Sequence, residues 1–531
     1  MNINKKIINK KILEFIILIL LLSYYGFFLA NKIDLTTADL GRHLKNGALA
    51  INFIFNNPFE FNKLLKTNFY SYTYSDYFFI NHHWVSGVIF YLIEKSFGFK
   101  GLSWFYIILS LVIFVLFFKL AQKNSNFITA ALISLLLIPL IAERKEIRPE
   151  IFSYFFMALF FWILWHYSKN LISSKWLFIL PLTGIIWANF HIYFIFGLFL
   201  IGVFLLEEIF ILKLKNKNKI KNLSLTFIFT ALSFLIQPNG LKGALYPLNI
   251  FKEYGYRIVE NQPIWFLKKI GIINSNILLF ELVFLLMIFS FILLLILNRK
   301  NFSFSLFLIG MTFGVMAFLA LRNFTLFGFF VLVVLAYNFD KIFKQINFSF
   351  EFNKFSKTFI LILALVIIDF TIFNSRYEIF NKNKGIGLAF ENNASIEFFK
   401  NQNIQGPIFN NYDIGSYLVY YLFPQEKVFV DNRPEAYPAS FFQKIYIPMQ
   451  ENENVWKKQD EKYNFNVIFF SYRDYTPWSQ EFLINRIKDS NWAPVFADKY
   501  VIIFLKRNNL NKDIIQKYEI PKDFFKITVS K

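Results

Sequence analysis

The sequence predicts an α-helical integral membrane protein with a C-terminal α/β domain. Of the 531 residues, 56% are hydrophobic and only 17% are charged, whereas soluble domains carry about 25% charged residues. The apolar residues also fall into long runs, and a helix needs about 20 of them to cross the hydrocarbon core of a bilayer. This composition argues against a large soluble enzyme and against a disordered chain.

The net charge of +21 does not indicate a nucleic-acid partner. Many lysines lie in short clusters between apolar runs, which is the pattern that membrane topology produces. We therefore predict that the protein binds no nucleic acid. The chain contains no cysteine, which excludes disulfides and thiolate metal sites.

Eleven apolar runs are predicted to cross the membrane. They are 12–30, 101–118, 127–141, 151–167, 176–188, 192–212, 223–236, 277–297, 304–321, 324–337 and 359–373. The first run is too long for the core of a signal peptide and is not followed by a small-residue cleavage site, so we predict that it is a retained anchor.

A further run, 84–97, is short and contains Glu94 and Lys95, so it either crosses or lies in the membrane interface. Lysines before the first span place the N-terminus in the cytoplasm. If 84–97 does not cross, every later short basic cluster also lies on the cytoplasmic side. We therefore predict an interfacial helix, with loops 31–100 and 237–275 and the C-terminal domain outside.

The predicted division is a transmembrane domain at 1–375 and an extracytoplasmic α/β domain at 376–531. After residue 374 the chain becomes more polar. Strand-length apolar runs at 407–409, 427–430, 467–470 and 501–505 are separated by helical stretches, including 395–400 and 475–489. This alternation of strands and helices favours a small α/β domain.

Ionisable residues gather at the predicted outer ends of the spans. Charge within a bilayer is costly, so such residues mark sites that face a cavity. Topology alone would move arginine and lysine to the opposite side. The residues concerned are Asp39, Arg42, His43, Lys45, His82, His83, Arg144, Lys145, Arg148, His191 and Arg322.

The motifs that contain these residues carry a resemblance to a known superfamily. D-L-G-R-H-L-K-N-G at 39–47 is followed by N-H-H-W at 81–84, R-P-E at 148–150, W-A-N-F-H at 187–191, P-N-G at 238–240, E-N-Q-P at 260–263, R-N at 322–323, N-Y-D-I-G-S-Y-L at 411–418 and D-N-R at 431–433. In this order the chain resembles, over nearly its whole length, bacterial membrane proteins of the GT-C glycosyltransferase superfamily. The resemblance is to the dolichyl-phosphate mannosyltransferase and lipid A aminoarabinose transferase type.

The resemblance implies a GT-C-like bundle of about 11 spans in the bacterial inner membrane. It also implies an enzyme that moves a sugar from a polyprenyl-phosphate donor to a lipid, glycan or protein acceptor on the outer face. A carboxylate must take the proton of the acceptor hydroxyl, and Asp39 is the candidate base. Cations must stabilise the leaving phosphate, and Arg148 and Arg322 are the first candidates, followed by Arg42 and Lys45.

Other residues are candidates for substrate binding. They are His43, His82, His83, His191, Glu260, Asp431 and Arg433. Structural alternatives stand beside these assignments: Asp39 as a helix cap, Arg148 and Arg322 as interfacial anchors, His191 as a polar contact between helices, and Asp431–Arg433 as a structural pair. The residues leave open whether a divalent metal takes part.

The sequence departs from the superfamily branch at two positions. Thr37 stands where an acidic residue is often found two residues before Asp39, and His83 stands where glutamate is often found. These departures support an alternative function as a non-catalytic scaffold or glycan-binding subunit. A transporter of lipid-linked glycans is a further alternative, although the sequence shows no clear inverted repeat.

Overall fold

The computed structural model describes residues 2–211, 216–250, 254–347, 362, 365, 368 and 383–525. The chain forms two compact units. The helical unit comprises 1–32, 103–237 and 257–386, and the mixed unit comprises 33–102, 238–256 and 387–531. The predicted domain boundary between residues 375 and 376 lies outside the described residues, as does most of the predicted span 359–373.

The helical unit is built from long apolar helices. Side-chain caps begin several of them, because an Asn or Ser oxygen accepts a hydrogen bond from a free backbone N–H in the first turn. The helices are Asn2–Leu29, Phe127–Ile141, Glu150–Ser168, Ile179–Phe190, Ile195–Leu206, Lys217–Ser233, Ile264–Lys269, Ser275–Leu297, Phe304–Leu319 and Phe324–Gln345. One more helix, Trp84–Asn124, has residues in both units.

Among the described residues, six helices are long and apolar enough to cross a membrane. They are Lys11–Leu29, Trp84–Asn124, Glu150–Ser168, Ile192–Ile211, Ser275–Leu297 and Leu321–Gln345. Phe127–Ile141 and Phe304–Leu319 are apolar but shorter. The predicted spans 176–188 and 223–236 correspond to helices Ile179–Phe190 and Lys217–Ser233, which belong to neither group. The count of eleven spans stays a prediction.

A break at Gly98 interrupts helix Trp84–Asn124. Gly98 has φ +65° and ψ −174°, a backbone conformation that glycine adopts without strain. The predicted short run 84–97 is therefore a helical segment of its own, followed by the predicted span that starts near residue 101. Its interfacial position stays a prediction.

The mixed unit contains a four-stranded sheet. Its strands are β1 Ile408–Asn410, β2 Val467–Phe470, β3 Trp492–Ala497 and β4 Ile502–Lys506. They lie in the order β1-β2-β4-β3, with β1 parallel to β2 and the other neighbours antiparallel. The prediction of a small α/β arrangement is confirmed to this extent, and three of the four predicted strands are present.

The predicted strand at 427–430 is wrong, and strand β3 was not predicted. Val428 makes only an isolated parallel bridge with Ser71, and the backbone N–H of Phe429 donates to the side chain of Asn410 rather than to a neighbouring strand. Side-chain hydrogen bonds thus replace the strand ladder at this edge. Strand β3 contains Pro494 at a register shift, where proline is tolerated because the strand lies at the sheet edge.

In chain order, helices precede, separate and follow the strands of this sheet. The α-helices of four or more residues that lie wholly in this unit are Leu40–Asn56, Pro58–Lys66, Gly240–Leu245, Ala394–Asn401, Gly415–Leu422, Pro448–Glu451, Glu453–Tyr463, Pro477–Lys488 and Lys512–Tyr518. Ala394–Asn401 and Pro477–Lys488 confirm the predicted helices at 395–400 and 475–489. The core centres on Phe409, whose ring lies 5.1 Å from Trp456 and 5.2 Å from Phe482 between ring centroids.

Candidate functional site

Two glycines bring the first two sequence motifs of the mixed unit together. A Cβ atom at Gly47 would lie 2.1 Å from the backbone oxygen of Gly87, so only glycine lets the two helices approach this closely. As a result the ring of His43 contacts that of His83 edge-on, with 5.4 Å between centroids. The ring of His82 lies 3.9 Å from that of His83.

Asp39 lies at the N-cap position of helix Leu40–Asn56, but its side chain makes no capping hydrogen bond. Its Oδ2 lies 3.6 Å from Nε2 of His43 and 3.8 Å from Nη2 of Arg42. The side chain is 21% exposed, whereas His43 and Arg42 are buried. The carboxylate therefore faces a cation on one side and is accessible on another, as a proton acceptor must be.

Arg42 is a buried cation with loose side-chain contacts. Its Nη2 lies 3.4 Å from Nε2 of His43 and 3.8 Å from Asp39, and its Nε has no hydrogen-bond partner in the described part of the chain. A buried charge without close partners is costly. The guanidinium is thus well suited to receive an anionic group, which would lower that cost.

His82 provides a buried hydrogen-bond acceptor. Its Nδ1 lies 3.0 Å from the carbonyl oxygen of Ile80, which assigns the proton to Nδ1. Burial lowers the pKa of His82 to about 3, with a smaller effect from Arg42 and His43, so the ring is neutral at physiological pH. The Nε2 lone pair is buried and has no partner among the described residues, so it can accept a hydrogen bond from a substrate hydroxyl.

Asp431 and Arg433 form a buried ion pair. Arg433 donates from Nε to Oδ1 of Asp431 at 2.7 Å and from Nη2 to Oδ2 at 2.5 Å, and Nη2 also donates to Oδ1 of Asn68. The guanidinium lies 4.8 Å from the ring centroid of Phe79 and 5.2 Å from that of Tyr70. The charges of Asp431 and Arg433 are therefore compensated by each other within the fold.

Two further groups lie close to these residues. Lys45 donates to the carbonyl oxygen of Phe423 at 2.8 Å, and burial lowers the pKa of its ammonium. Burial raises the pKa of Glu435, while Arg42 and Arg433 act in the opposite direction. Glu435 was missed in the sequence, although it stands two residues after Arg433 in D-N-R-P-E.

The helical unit holds a second cluster, which centres on Arg144. Arg144 donates from Nε to Glu150 and from Nη1 to Oε2 of Glu260 at 2.5 Å. Arg148 donates from Nη1 to the other oxygen of Glu260 at 2.9 Å and pairs with Glu146 at 2.7 Å. The sequence placed Arg148 and Glu260 in separate roles, but the structure joins them in one ion network.

The arginines hold the pKa of Glu260 at about 2, although burial acts to raise it. Replacing Glu260 by glutamine is expected to lower the free energy of unfolding by about 2–3 kcal/mol at pH 7. Because the pKa is lower in the folded protein, this stabilisation is present above about pH 4.5 and is lost as the pH falls toward 2. Thermal midpoints of wild type and Glu260→Gln at pH 7 and pH 3 should therefore differ most at pH 7.

Glu146→Gln is the matched control, since the Glu146 side chain is 50% exposed and its pairing with Arg148 is screened by water. We expect little change in its midpoint. Equal midpoints for Glu260→Gln and wild type at pH 7 would contradict a stabilising role for this network.

His191 is held in a chain of polar side chains. Nε1 of Trp187 donates to Oγ of Ser153 at 2.7 Å, and this oxygen lies 2.9 Å from Nδ1 of His191. Nδ1 also accepts from the backbone N–H of Tyr193 at 3.4 Å. Since Nδ1 is the acceptor, the proton of the neutral ring is on Nε2. These bonds fit the predicted polar contact between helices.

Arg322 lies at the start of helix Phe324–Gln345, with its guanidinium 5.9 Å from the ring centroid of Tyr193. It contributes to the low pKa of Glu260. The R-P-E, E-N-Q-P and R-N motifs of the helical unit therefore act on one electrostatic cluster.

No family model and no curated protein matches the sequence. The chain is nevertheless similar to solved structures of one membrane enzyme. Archaeal oligosaccharyltransferase AglB from Archaeoglobus fulgidus, in complex with an inhibitory peptide and a dolichol-phosphate, matches with a TM-score of 0.60 at 12% identity, over 94% of this chain and 75% of that one. The apo form of the Archaeoglobus fulgidus oligosaccharyltransferase matches with a TM-score of 0.56 at 12% identity, over 89% and 71%.

A third structure of this oligosaccharyltransferase, tethered with an acceptor peptide that contains the NVT sequon, matches with a TM-score of 0.53 at 11% identity, over 93% of this chain and 74% of that one. AglB is a polytopic membrane protein of the GT-C superfamily. The chain has the GT-C fold. This confirms the fold that the resemblance implies. The apolar helices and the neighbours together support a multi-pass membrane protein.

The GT-C chain offers no ready-made metal site in its described residues. No group of three or more His, Cys, Asp or Glu side chains there is arranged to hold a metal ion. His82 and His43 lie beside Arg42, and burial together with the positive charge of Arg42 lowers the pKa of His82. We therefore assign no reaction step to a metal.

Arg144 and Glu150 are functional candidates to which the sequence assigned no role, although Arg144 belongs to the predicted cluster of ionisable residues. Arg144 is held by two glutamates, and Glu150 was treated only as part of a motif. A signal was present, because Arg144 and Glu150 flank a five-residue segment that is rich in charge at a predicted span end. Which glutamate would pair with which arginine depends on tertiary contacts over more than 100 residues of sequence.

Proposed function

We propose that this protein is a membrane glycosyltransferase that moves a sugar from a polyprenyl-phosphate donor to an acceptor on the outer face of a bacterial inner membrane. The observation that carries the proposal is the accessible carboxylate of Asp39 beside the loosely paired, buried guanidinium of Arg42, in a chain with the GT-C fold. The AglB structures support a lipid-phosphate donor, since one of them contains a dolichol-phosphate.

In the proposed reaction, the acceptor hydroxyl loses its proton to Asp39 while its oxygen forms a bond to the anomeric carbon. The bond between that carbon and the phosphate oxygen breaks, and the lipid phosphate leaves with the electron pair. Arg42 stabilises the charge that develops on the phosphate, and its burial strengthens this effect. Nε2 of His82 accepts a hydrogen bond from a substrate hydroxyl and thereby orients it.

The remaining candidates take supporting roles in the proposal. In the helical unit, Arg148 and Arg322 stay separate candidates for binding a phosphate. Arg148 must first exchange Glu260 for phosphate, because the two side chains are paired at 2.9 Å. His43 and His83 line the same site as Asp39. The buried Asp431–Arg433 pair supports the site as a structural element.

Donor turnover tests the proposal. The purified full-length chain in lipid nanodiscs is incubated with a panel of polyprenyl-phosphate hexoses, N-acetylhexosamines and pentoses and a crude envelope extract as acceptor. Release of polyprenyl phosphate is measured. Replacing Arg42 by glutamine is expected to lower kcat by about 10²–10³-fold, since one preorganised electrostatic contact is lost.

Arg42→Lys keeps the charge and should retain more activity than Arg42→Gln. Arg257→Gln, which removes an exposed arginine, is the matched control and should leave turnover unchanged. Thermal midpoints establish that each variant is folded. An active Arg42→Gln variant with wild-type kcat would refute the role of Arg42, and no turnover with any donor would refute the transferase.

A non-catalytic, glycan-binding subunit is the second candidate function. Thr37 replaces the acidic residue expected near Asp39, and Asp34 does not replace it. Asp34 is already paired with Arg473 at 2.9 Å and accepts hydrogen bonds from Thr36 and Asn392. Saturable donor binding without release of polyprenyl phosphate is the result that would favour this function.

A further inference from the structure

A large cleft lies within the mixed unit, lined by residues other than those assigned to the transfer reaction. Its volume is about 1120 Å³, slightly above the range of about 300–1,000 Å³ that is typical of ligand pockets. This is room for several sugar rings rather than for one small molecule. We call it the Tyr-Lys cleft, because its lining includes Tyr72, Tyr421, Tyr463, Lys400, Lys427 and Lys462.

The Tyr-Lys cleft is positively charged. Lys400, Lys427 and Lys462 are exposed, and none of them forms an ion pair with a carboxylate within the described part of the chain. Glu426 also lines the cleft, but its Oε1 accepts a hydrogen bond from the backbone N–H of Gly406 at 2.9 Å. The lining thus has three ammonium groups and only one carboxylate, which is already hydrogen-bonded. This excess of positive charge favours an anionic ligand.

The tyrosines form fixed aromatic walls. The hydroxyl of Tyr72 donates to the carbonyl oxygen of Ile408 at 2.8 Å, which holds this ring in place. The rings of Tyr72 and Tyr463 lie 6.2 Å apart between centroids, with 66° between their planes. Tyrosine combines an apolar ring face with a polar tip, so it can pack against the C–H face of a sugar at low conformational cost.

Side-chain amides complete the lining. Asn403, Gln405 and Gln425 line the Tyr-Lys cleft, and their amide groups make no hydrogen bond to the described residues. Each amide offers two donors and an acceptor, which match the paired donor and acceptor character of sugar hydroxyls. An acidic peptide would also use the lysines and could bond to the amides through its backbone, but it has no sugar rings to pack against three tyrosines.

We infer that the Tyr-Lys cleft binds an anionic oligosaccharide, with its carboxylate or phosphate groups on the lysines and its sugar rings against the tyrosines. This binding goes beyond the proposed transfer reaction and does not require it, because the cleft lies on residues outside the proposed catalytic set. The protein would hold an acidic envelope glycan whether or not it also transfers a sugar.

Calorimetric titration of the full-length chain in nanodiscs tests this inference. The probes are tetragalacturonate, which is an anionic oligosaccharide, neutral maltotetraose and tetraglutamate. We expect saturable, salt-sensitive binding of tetragalacturonate and at least tenfold weaker binding of the other two. Replacing Lys400, Lys427 and Lys462 together by glutamine is expected to weaken tetragalacturonate binding about tenfold, since three exposed ion pairs are lost.

Substitutions at Tyr421 test whether the cleft recognises sugar rings or only negative charge. Tyr421→Ala should weaken tetragalacturonate binding severalfold, whereas Tyr421→Phe keeps the ring and should bind as wild type does. Replacing Lys444, Lys457 and Lys458 together by glutamine is the charge-matched control for the triple lysine variant, because all three are exposed but do not line the cleft. Three results would overturn the inference: no saturable binding of tetragalacturonate, equal binding of maltotetraose, or equal binding of tetraglutamate with no effect of Tyr421→Ala.

Discussion

Replacing Asp39 by asparagine is expected to lower the rate of sugar transfer by about 10²–10⁴-fold, the range that a positioned general base contributes. Asparagine has nearly the same size and can keep a contact at the 3.6 Å distance to His43, but it cannot accept the proton of the acceptor hydroxyl. The change should therefore appear in kcat for transfer and much less in binding of the lipid donor. Release of polyprenyl phosphate and equilibrium donor binding, measured on the same nanodisc preparation, check both parts.

Asp76→Asn is the matched control for this substitution. Asp76 is an exposed acid in the same loop region of the mixed unit, so its loss removes the same charge without touching the cluster around Asp39. Its transfer rate should equal that of wild type. If Asp39→Asn retained the wild-type rate while folded, Asp39 would be a structural residue at the helix N-terminus and another group would have to act as base.

Much of the fold could be predicted because its physical cause is local. A helix that crosses lipid must be apolar for most of its length, so runs such as 277–297 and 151–167 are visible without any tertiary information. The observed helices Ser275–Leu297 and Glu150–Ser168 match them closely. The GT-C fold itself could be predicted only from the order of several short motifs, each of which is a weak indicator alone.

The sheet was harder to predict because its short strands depend on their neighbours. Val428 and Phe429 are residue types that favour strands. The hydrogen bonds of this segment, however, go to the backbones of Tyr70 and Tyr72 and to the side chain of Asn410. Strand β3 contains Pro494, which lowers a sequence-based expectation of strand although an edge position accepts it. Neither outcome is encoded in the local pattern alone.

For the site, the sequence indicated which residue types gather but not how their charges pair. Arg148 and Glu260 are 112 residues apart and form a direct ion pair. His82 and His83 are adjacent, yet His82 donates to a backbone carbonyl while His83 contacts the ring of His43. The contact between the rings of His43 and His83 depends on the close helix approach at Gly47 and Gly87, which a single sequence does not reveal.

Replacing Asp431 by alanine is expected to have the largest effect on stability, with a loss of about 3–5 kcal/mol in the free energy of unfolding, because it leaves the buried guanidinium of Arg433 without its carboxylate. Asp431 is fully buried and accepts two hydrogen bonds from the Arg433 guanidinium. The remaining side-chain acceptor, Asn68, is neutral and cannot compensate the charge. The thermal midpoint and resistance to limited proteolysis of the full-length chain measure the loss.

The double variant Asp431→Leu with Arg433→Met distinguishes a buried charge from a packing defect. Both charges are then absent, and apolar side chains of similar volume lie among Tyr70 and Phe79, so we expect most of the stability to return. If the double variant were as unstable as Asp431→Ala, the pair would act through shape and the hydrogen bond to Asn68 rather than through charge. A double variant that is stable but inactive would instead assign the pair a direct part in substrate recognition, because restored folding would then leave only the lost ionic groups to explain the loss of transfer.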